Sequence, residues 1–236
     1  MFRSISLADG ALGVGSYNRP MAKKSNVVPI SPALGRKSAY VARNRAALIR
    51  AAQHVFAESG PTASIESVAA FAEVSPSTVY KHFETKENLL SLAILEAFST
   101  WQEWAQEKSH SSDDPLVQFV MPMRLFLRIK TTHPLYARLA SSCFGDTYKL
   151  LPITNTGFAE QLHFLVKSKV LSVDNLDVRV SNLGSCLFGI LNSQLHQADS
   201  TAEDADTALE IALGMICIPA AKAKRITHLP LPDFSI

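Results

Sequence analysis

Residues 63–90 read ASIESVAAFAEVSPSTVYKHFETKENLL, and this stretch decides how the rest of the chain is organised. Ile65, Val68, Ala69 and Ala72 fall at i, i+3, i+4 and i+7, so they share one helical face. Ser64 stands just before them, where its hydroxyl can accept a backbone N–H that the first turn leaves unpaired. Glu73-Val74-Ser75-Pro76 then interrupts the pattern. Ser75 can cap a second helix, and Pro76 suits its first position, where a missing N–H costs nothing.

The second helix is expected to run from Pro76 to about Phe83. Val79 and Phe83, four apart, can face a core. Ser77, Thr78, Tyr80, Lys81 and His82 are left to point outward. Their hydroxyls, amine, phenol and imidazole can bond base edges and phosphates, and a short helix carrying them fits a DNA major groove. Thr85 can cap the next helix, and Lys86 sits in its first turn. Helix dipole, free backbone N–H groups and a lysine together form a phosphate clamp. The candidate DNA-binding residues are therefore Ser64, Ser75, Pro76, Ser77, Thr78, Tyr80, Lys81, His82 and Lys86.

The string VSPSTVYKHFETKENLL, residues 74–90, resembles the DNA-binding signature of the TetR family of transcriptional regulators. At motif level the resemblance covers about Arg43 to Leu90; beyond that it rests on length and helix pattern. One position departs from it. The family usually has glycine in the turn where this chain has Glu73. A glycine readily takes positive φ, whereas a glutamate there carries strain, so the turn either differs in shape or bears a penalty.

Four segments are expected: a disordered arm (1–40), a helix-turn-helix DNA-binding domain (41–90), a helical effector-binding and dimerisation domain (91–219), and a C-terminal tail (220–236). The fold class is all-α. In the arm, Met21 offers an alternative start, and Lys23, Lys24, Arg36 and Lys37 either reach DNA beside the main contact or form a solvated tail. The first helix is expected over about 41–58, with Ala47, Leu48, Ala51, Ala52, Val55 and Phe56 as its apolar stripe. Ser59-Gly60-Pro61 stops it. From Thr85 a long helix carries an apolar face that Glu96 interrupts, as suits a helix touching two domains.

The body should begin with a helix over 115–130, kinked or broken near Met121 by Pro122. Pro134 can open a helix through Phe144, residues 145–156 look like a loop, and 157–169 read as helix. Asp174 or Asn175 can cap a long helix over about 176–196, and Thr201 the last, to about Ile218. Gly184, Ser185 and Gly189 are small enough for a partner helix to approach. Phe188, Leu191, Leu195, Ala208, Ile211, Ala212 and Met215 form two apolar faces. They are either internal core or, as the resemblance implies, the four-helix interface of a homodimer through about 175–218. A two-fold dimer sets its reading heads roughly 34 Å apart, matching successive major grooves.

Charge supports this layout. The net charge is +2 over 236 residues, but residues 21–90 hold nine Lys/Arg against five Asp/Glu, and residues 91–236 hold twelve against fifteen. The positive half is the half with the motif, as phosphate binding requires. No apolar run is long enough for a membrane span, and no secretory signal is evident, so a cytoplasmic location without membrane contact is expected. Cys143, Cys186 and Cys217 read as buried thiols, with a redox sensor as the alternative.

No catalytic or metal constellation is visible: the seven histidines are scattered, and there is no phosphate loop or nucleophile elbow. No enzyme activity, cofactor or metal is expected. The expected function is DNA-binding transcriptional regulation by a repressor dimer on a palindromic operator. The resemblance implies a small effector, and Trp101, Phe119, Phe126, Phe144, Phe158 and Phe164 point to an apolar or aromatic one, although the same residues suit a plain core. The alternative is a helical ligand- or protein-binding module without sequence-specific DNA binding.

Overall fold

A computed structural model describes residues 32–109, 112–197 and 199–232, with side chains from residue 39 onward. Thirteen α-helices and two short 3-10 turns make up the described residues, with no strand among them. The helices are α1 Pro32–Ser59, α2 Ile65–Phe71, α3 Pro76–Phe83 and α4 Lys86–Ser109 in the first part. The second part holds α5 Pro115–Phe126, α6 Ile129–Thr132, α7 Pro134–Ser142, α8 Phe144–Lys149 and α9 Leu151–Thr154. It closes with α10 Thr156–Lys167, α11 Leu176–His196, α12 Ala202–Leu213 and α13 Ala220–Thr227.

Two buried clusters form along α4. The first joins Leu48, Ala52 and Phe56 of α1 to Val68 of α2, Val79 and Phe83 of α3, and Leu89, Ala93 and Ala97 of α4. The second begins at Trp101 and Ala105 on the same helix and continues through α5, α10, α11, α12 and α13. One helix therefore serves both clusters, as its drifting apolar face implies. Helix α1 ends as its sequence dictates: Gly60 takes φ 66°, and the 3-10 turn Gly60–Thr62 follows.

Several expectations need correction. Helix α1 begins at Pro32, so residues 32–40 are helical rather than disordered; proline at a first helical position is locally favourable. Arm residues 1–31, with Lys23 and Lys24, lie outside the described residues, as do the side chains of Arg36 and Lys37. Ala47 is exposed, and Ile49 takes its place in the buried stripe. Helix α5 continues through Pro122 and ends at Phe126, not near Met121. The loop expected at 145–156 is mostly two short helices, α8 and α9.

The C-terminal tail is also corrected, because α13 buries Ala223, Ile226 and Thr227 on one side. Asp174 and Asn175 make no side-chain cap on α11. Asp174 instead pairs with Arg179 at 2.7 Å, which holds its carboxyl below the usual carboxylate range. Thr201 does cap α12, in a reciprocal box with Asp204. Cys143 is buried and Cys186 half-buried, but Cys217 is exposed. Burial, with a contribution from Asp146, pushes the Cys143 thiol up to about 11, so it stays protonated and unreactive near neutral pH.

Candidate nucleic-acid interface

The first cluster exists to hold α3, and the sequence shows how. Ser64 accepts the Ser67 amide at 3.1 Å and starts α2. Ser75 accepts the Thr78 amide at 3.3 Å and starts α3, with Pro76 in the first turn. Thr85 accepts the Asn88 amide at 3.1 Å and starts α4. Each cap fixes the angle at which a helix leaves its turn. Glu73 adopts φ 55° between α2 and α3, the conformation for which glycine is the usual choice.

The turn between α3 and α4 is tighter still. Glu84 lies at φ 59°, ψ −51°, and the Thr85 amide donates to the Phe83 carbonyl at 2.6 Å. This is a γ-turn of the strained hand. Asn88 braces it by donating its amide to the same Phe83 carbonyl at 3.1 Å. The Arg45 guanidinium lies 5.3 Å from the Phe83 ring centroid, a cation–π contact from α1. Neither Arg45 nor Asn88 was singled out from sequence, because each braces α3 from another helix.

Within α3, Val79 and Phe83 are fully buried, and the opposite side is open. Tyr80 is 47% exposed, Ser77 and Lys81 are exposed, and Thr78 and His82 are half-buried. The hydroxyls at the helix start are already linked: Ser75 Oγ lies 2.8 Å from Ser77 Oγ and 3.0 Å from Thr78 Oγ1. Ser75 is thus mainly a cap, and Pro76 offers no side-chain donor. Tyr80, Lys81 and His82 keep their polar ends available on one short helix. Lys86 is bent back, its ammonium donating to the Pro61 carbonyl at 2.9 Å. That bond ties α4 to the turn before α2 and leaves two further N–H groups of the lysine for an anion.

An apolar cavity of about 50 Å³ lies where residues of the two clusters meet. Helix α4 supplies Ile94, Ala97 and Phe98, α7 supplies Tyr136, Leu139 and Ala140, and α11 supplies Phe188 and Leu191. Phe126 and Ile129, with Thr147, Leu151 and Thr154, complete the wall. Of the six aromatics expected around an effector, only Phe126 borders it. Trp101 packs edge-on against Phe126 at 5.3 Å in the second cluster, and its indole N–H is buried without a hydrogen-bond partner.

The other four lie elsewhere. Phe119 stacks on Phe158 at 4.9 Å in the second core. Phe144 stacks on Phe188 from outside, and Phe164 is 61% exposed on α10. Composition identified aromatics but not which of them converge, since the lining comes from seven helices. Phe188, read from sequence as part of an apolar dimer face, is buried and turned inward, as are Leu191 and Ala212. The exposed large apolar residues of this region are Val178 on α11, Ile211 on α12 and Met215 in the 3-10 turn that follows α12.

Among the described residues no group of three metal-ligand side chains comes together, and no helix is long and apolar enough to cross a membrane.

Residues 48–93 match the family profile of the bacterial regulatory proteins of the tetR family. A search of curated protein sequences finds no match. Among solved structures, RolR in complex with its ligand resorcinol aligns with TM-score 0.69 at 22% identity, over 84% of this chain and 100% of RolR. RolR without ligand aligns with TM-score 0.66 at 21% identity, over 80% and 100%. NalD of Pseudomonas aeruginosa, the secondary repressor of the MexAB-OprM multidrug efflux pump, aligns with TM-score 0.57 at 19% identity, over 74% and 97%. At these identities the likeness is one of fold. Residues 48–93, with the capped α2–α3 pair, are thus a DNA-binding domain of the bacterial regulatory proteins of the tetR family, and the all-α body behind it shares the fold of RolR and NalD.

Proposed function

We propose that the chain is a ligand-responsive repressor that binds a palindromic operator as a dimer. The observation that carries this reading is α3: a short, capped helix with two buried anchors and Tyr80, Lys81 and His82 facing out. Placed in a major groove, those three side chains meet base edges and phosphates, and Ser77 and Thr78 reach the backbone from the first turn. Lys86 and the capped start of α2 at Ser64 flank the groove as phosphate contacts.

Dimerisation is assigned to the outer faces of α11 and α12. Val178 is 60% and Ile211 75% exposed there, and Met215 is exposed beside them. Gly189 and Gly214 add no side chain, and a methyl group built on either meets nothing within 4 Å. An apolar strip with small residues admits a second copy of itself about a two-fold axis. Ligand response is assigned to the cavity, whose wall helices α4 and α7 also place Ile94, Ala97 and Leu139 in the cluster that holds α3. RolR, which shares the fold, is a resorcinol-bound protein, and NalD is a repressor; both support the reading.

Footprinting on the DNA upstream of the protein's own gene tests it. Protection of two symmetric half-sites about one helical turn apart is expected. A dimeric mass is expected in solution. Protection of one unrepeated stretch, or a monomeric mass at micromolar concentration, would contradict it.

A further inference from the structure

The segment that holds α3 is less basic than the half of the chain around it. Residues 21–90 hold nine Lys/Arg, but seven of these stand at or before Arg50. Residues 63–90 hold only Lys81 and Lys86, against Glu66, Glu73, Glu84 and Glu87. The stretch that meets the duplex is therefore net negative. A phosphate backbone repels such a stretch unless particular contacts outweigh the repulsion.

Two of the four glutamates have a local reason for their place. Glu66 lies in the first turn of α2 and Glu87 in the first turn of α4, where a carboxylate favours the positive end of the helix. Glu73 and Glu84 have no such reason. Glu73 sits at φ 55°, two residues before the Ser75 cap, and Glu84 at φ 59°, directly after Phe83. Glycine adopts positive φ freely, whereas a longer side chain holds it under strain. Both side chains are exposed, and neither makes a hydrogen bond or ion pair among the described residues. Strain is thus borne at each end of α3 where a free carboxylate stands.

Their reach covers the whole helix. With eight residues α3 is about 12 Å long, so no point on it lies more than ~6 Å along the axis from one end. That is inside the ~8 Å over which physiological salt screens a charge. Lys81 is exposed and has no carboxylate partner among the described residues, and Lys86 is bent back to the Pro61 carbonyl. On an unrelated duplex only phosphate attraction holds α3, and there two glutamates oppose two lysines. On a matching duplex Tyr80, Lys81 and His82 bond base edges, and those bonds do not depend on neutralising phosphates.

We propose that Glu73 and Glu84 are specificity-determining residues, a pair of carboxylates that denies α3 the charge attraction by which it would rest on unrelated DNA. The proposal rests on α3 as the reading helix and adds how wrong sequences are rejected. The test compares the full-length wild type with the joint Glu73→Gln and Glu84→Gln variant by fluorescence anisotropy across a salt series. One duplex carries the half-sites protected in footprinting, and the other has the same composition in scrambled order. Glutamine keeps the size of each side chain and removes only its charge. Should the pair lose its fold, Glu73→Gly removes one charge at a relieved backbone position and carries the same test.

The variant should bind the scrambled duplex about ten-fold more tightly at ~0.1 M salt, with a salt dependence steeper by about one unit. Its affinity for the operator should rise by less than about three-fold, so the two duplexes are told apart less well. A rise on the operator as large as that on the scrambled duplex, or no change on either, would overturn the proposal. So would a loss confined to the operator, the mark of a carboxylate that accepts from a cytosine amino group. Tyr80→Ala in the same series separates this proposal from the reading beneath it. If Tyr80→Ala leaves operator binding untouched, α3 is not the reading helix. If it weakens operator binding while the glutamine pair changes nothing, only the role of the two carboxylates falls.

Discussion

Asp206 is where a single substitution should cost this protein most. Its carboxylate receives Arg124 in a two-pronged pair, Nε to Oδ1 and Nη2 to Oδ2, both at 3.0 Å. Arg128 adds a bond to Oδ2 at 2.6 Å. Both guanidinium groups are buried. The arginines also donate onward, Arg124 to the Leu229 carbonyl at 2.8 Å and Arg128 to the Ala202 carbonyl at 3.2 Å. One carboxylate thus ties α5 and the turn after it to α12 and to the chain beyond α13. Asp206→Ala leaves two buried cations without a counter-charge, which costs about 3–5 kcal/mol. For a chain of this length each kcal/mol lowers Tm by roughly 2–4 °C, so a drop of about 6–20 °C is expected.

Thermal unfolding followed by circular dichroism measures it. Adding Arg128→Leu to Asp206→Ala should recover part of the loss by removing one of the stranded charges. The sign with pH is fixed as well. Burial disfavours the charged form of Asp206, but hydrogen bonds and charge from Arg124 and Arg128 outweigh it and hold its carboxyl below the usual carboxylate range. A depressed folded value contributes stability that is complete above the unfolded value near pH ~4 and is lost as pH falls through the folded one. The Tm gap between wild type and Asp206→Asn should therefore be full at neutral pH and close in acid. A drop of less than about 2 °C for Asp206→Ala at pH ~7 would refute the reasoning, since it would mean the pair is not desolvated.

Three further outcomes follow from particular contacts. Glu73→Gly removes a non-glycine residue from φ 55° and should raise stability by about 0.5–1 kcal/mol in denaturant unfolding, after allowing for the greater freedom of glycine in the unfolded chain. Gly184→Ala should change stability by less than about 1 kcal/mol in the same assay, because the added Cβ meets only the end of the Asn155 side chain, which can turn aside, while alanine favours the helix. Lys86→Ala should weaken binding to all DNA sequences alike and flatten the salt dependence by about one unit, read from mobility shifts at several salt concentrations.

The sequence made the DNA-reading half legible because its signals are local. Ser64, Ser75 and Thr85 each announce a helix start within three residues, and each hydroxyl is found on the expected amide. Glu73 stood out as a poor fit to a left-handed turn and does occupy one. Gly184 was marked as small enough for close approach, and it admits a side chain of the α9–α10 connection rather than a partner helix. What was not legible depends on distant segments meeting. Helix α13 is short, and Lys222, Lys224 and Arg225 mask its buried stripe of Ala223 and Ile226. The cavity wall draws on residues from Ile94 to Leu191, so no spacing rule could separate Phe126, which lines it, from Phe164, which faces outward. The apolar faces of α11 and α12 mixed inward Phe188 and Leu191 with outward Ile211, because both helices are apolar on more than one side.

The most direct measurement of the central claim is the affinity of Tyr80→Ala for the DNA upstream of the protein's own gene, by fluorescence anisotropy at fixed salt. Tyr80 is exposed on α3 while its neighbour Val79 is buried, so the substitution should leave unfolding temperature unchanged. It should weaken specific binding by on the order of 1–3 kcal/mol while binding to unrelated DNA changes little. Wild-type affinity in a folded Tyr80→Ala protein would contradict the assignment of this face to the operator.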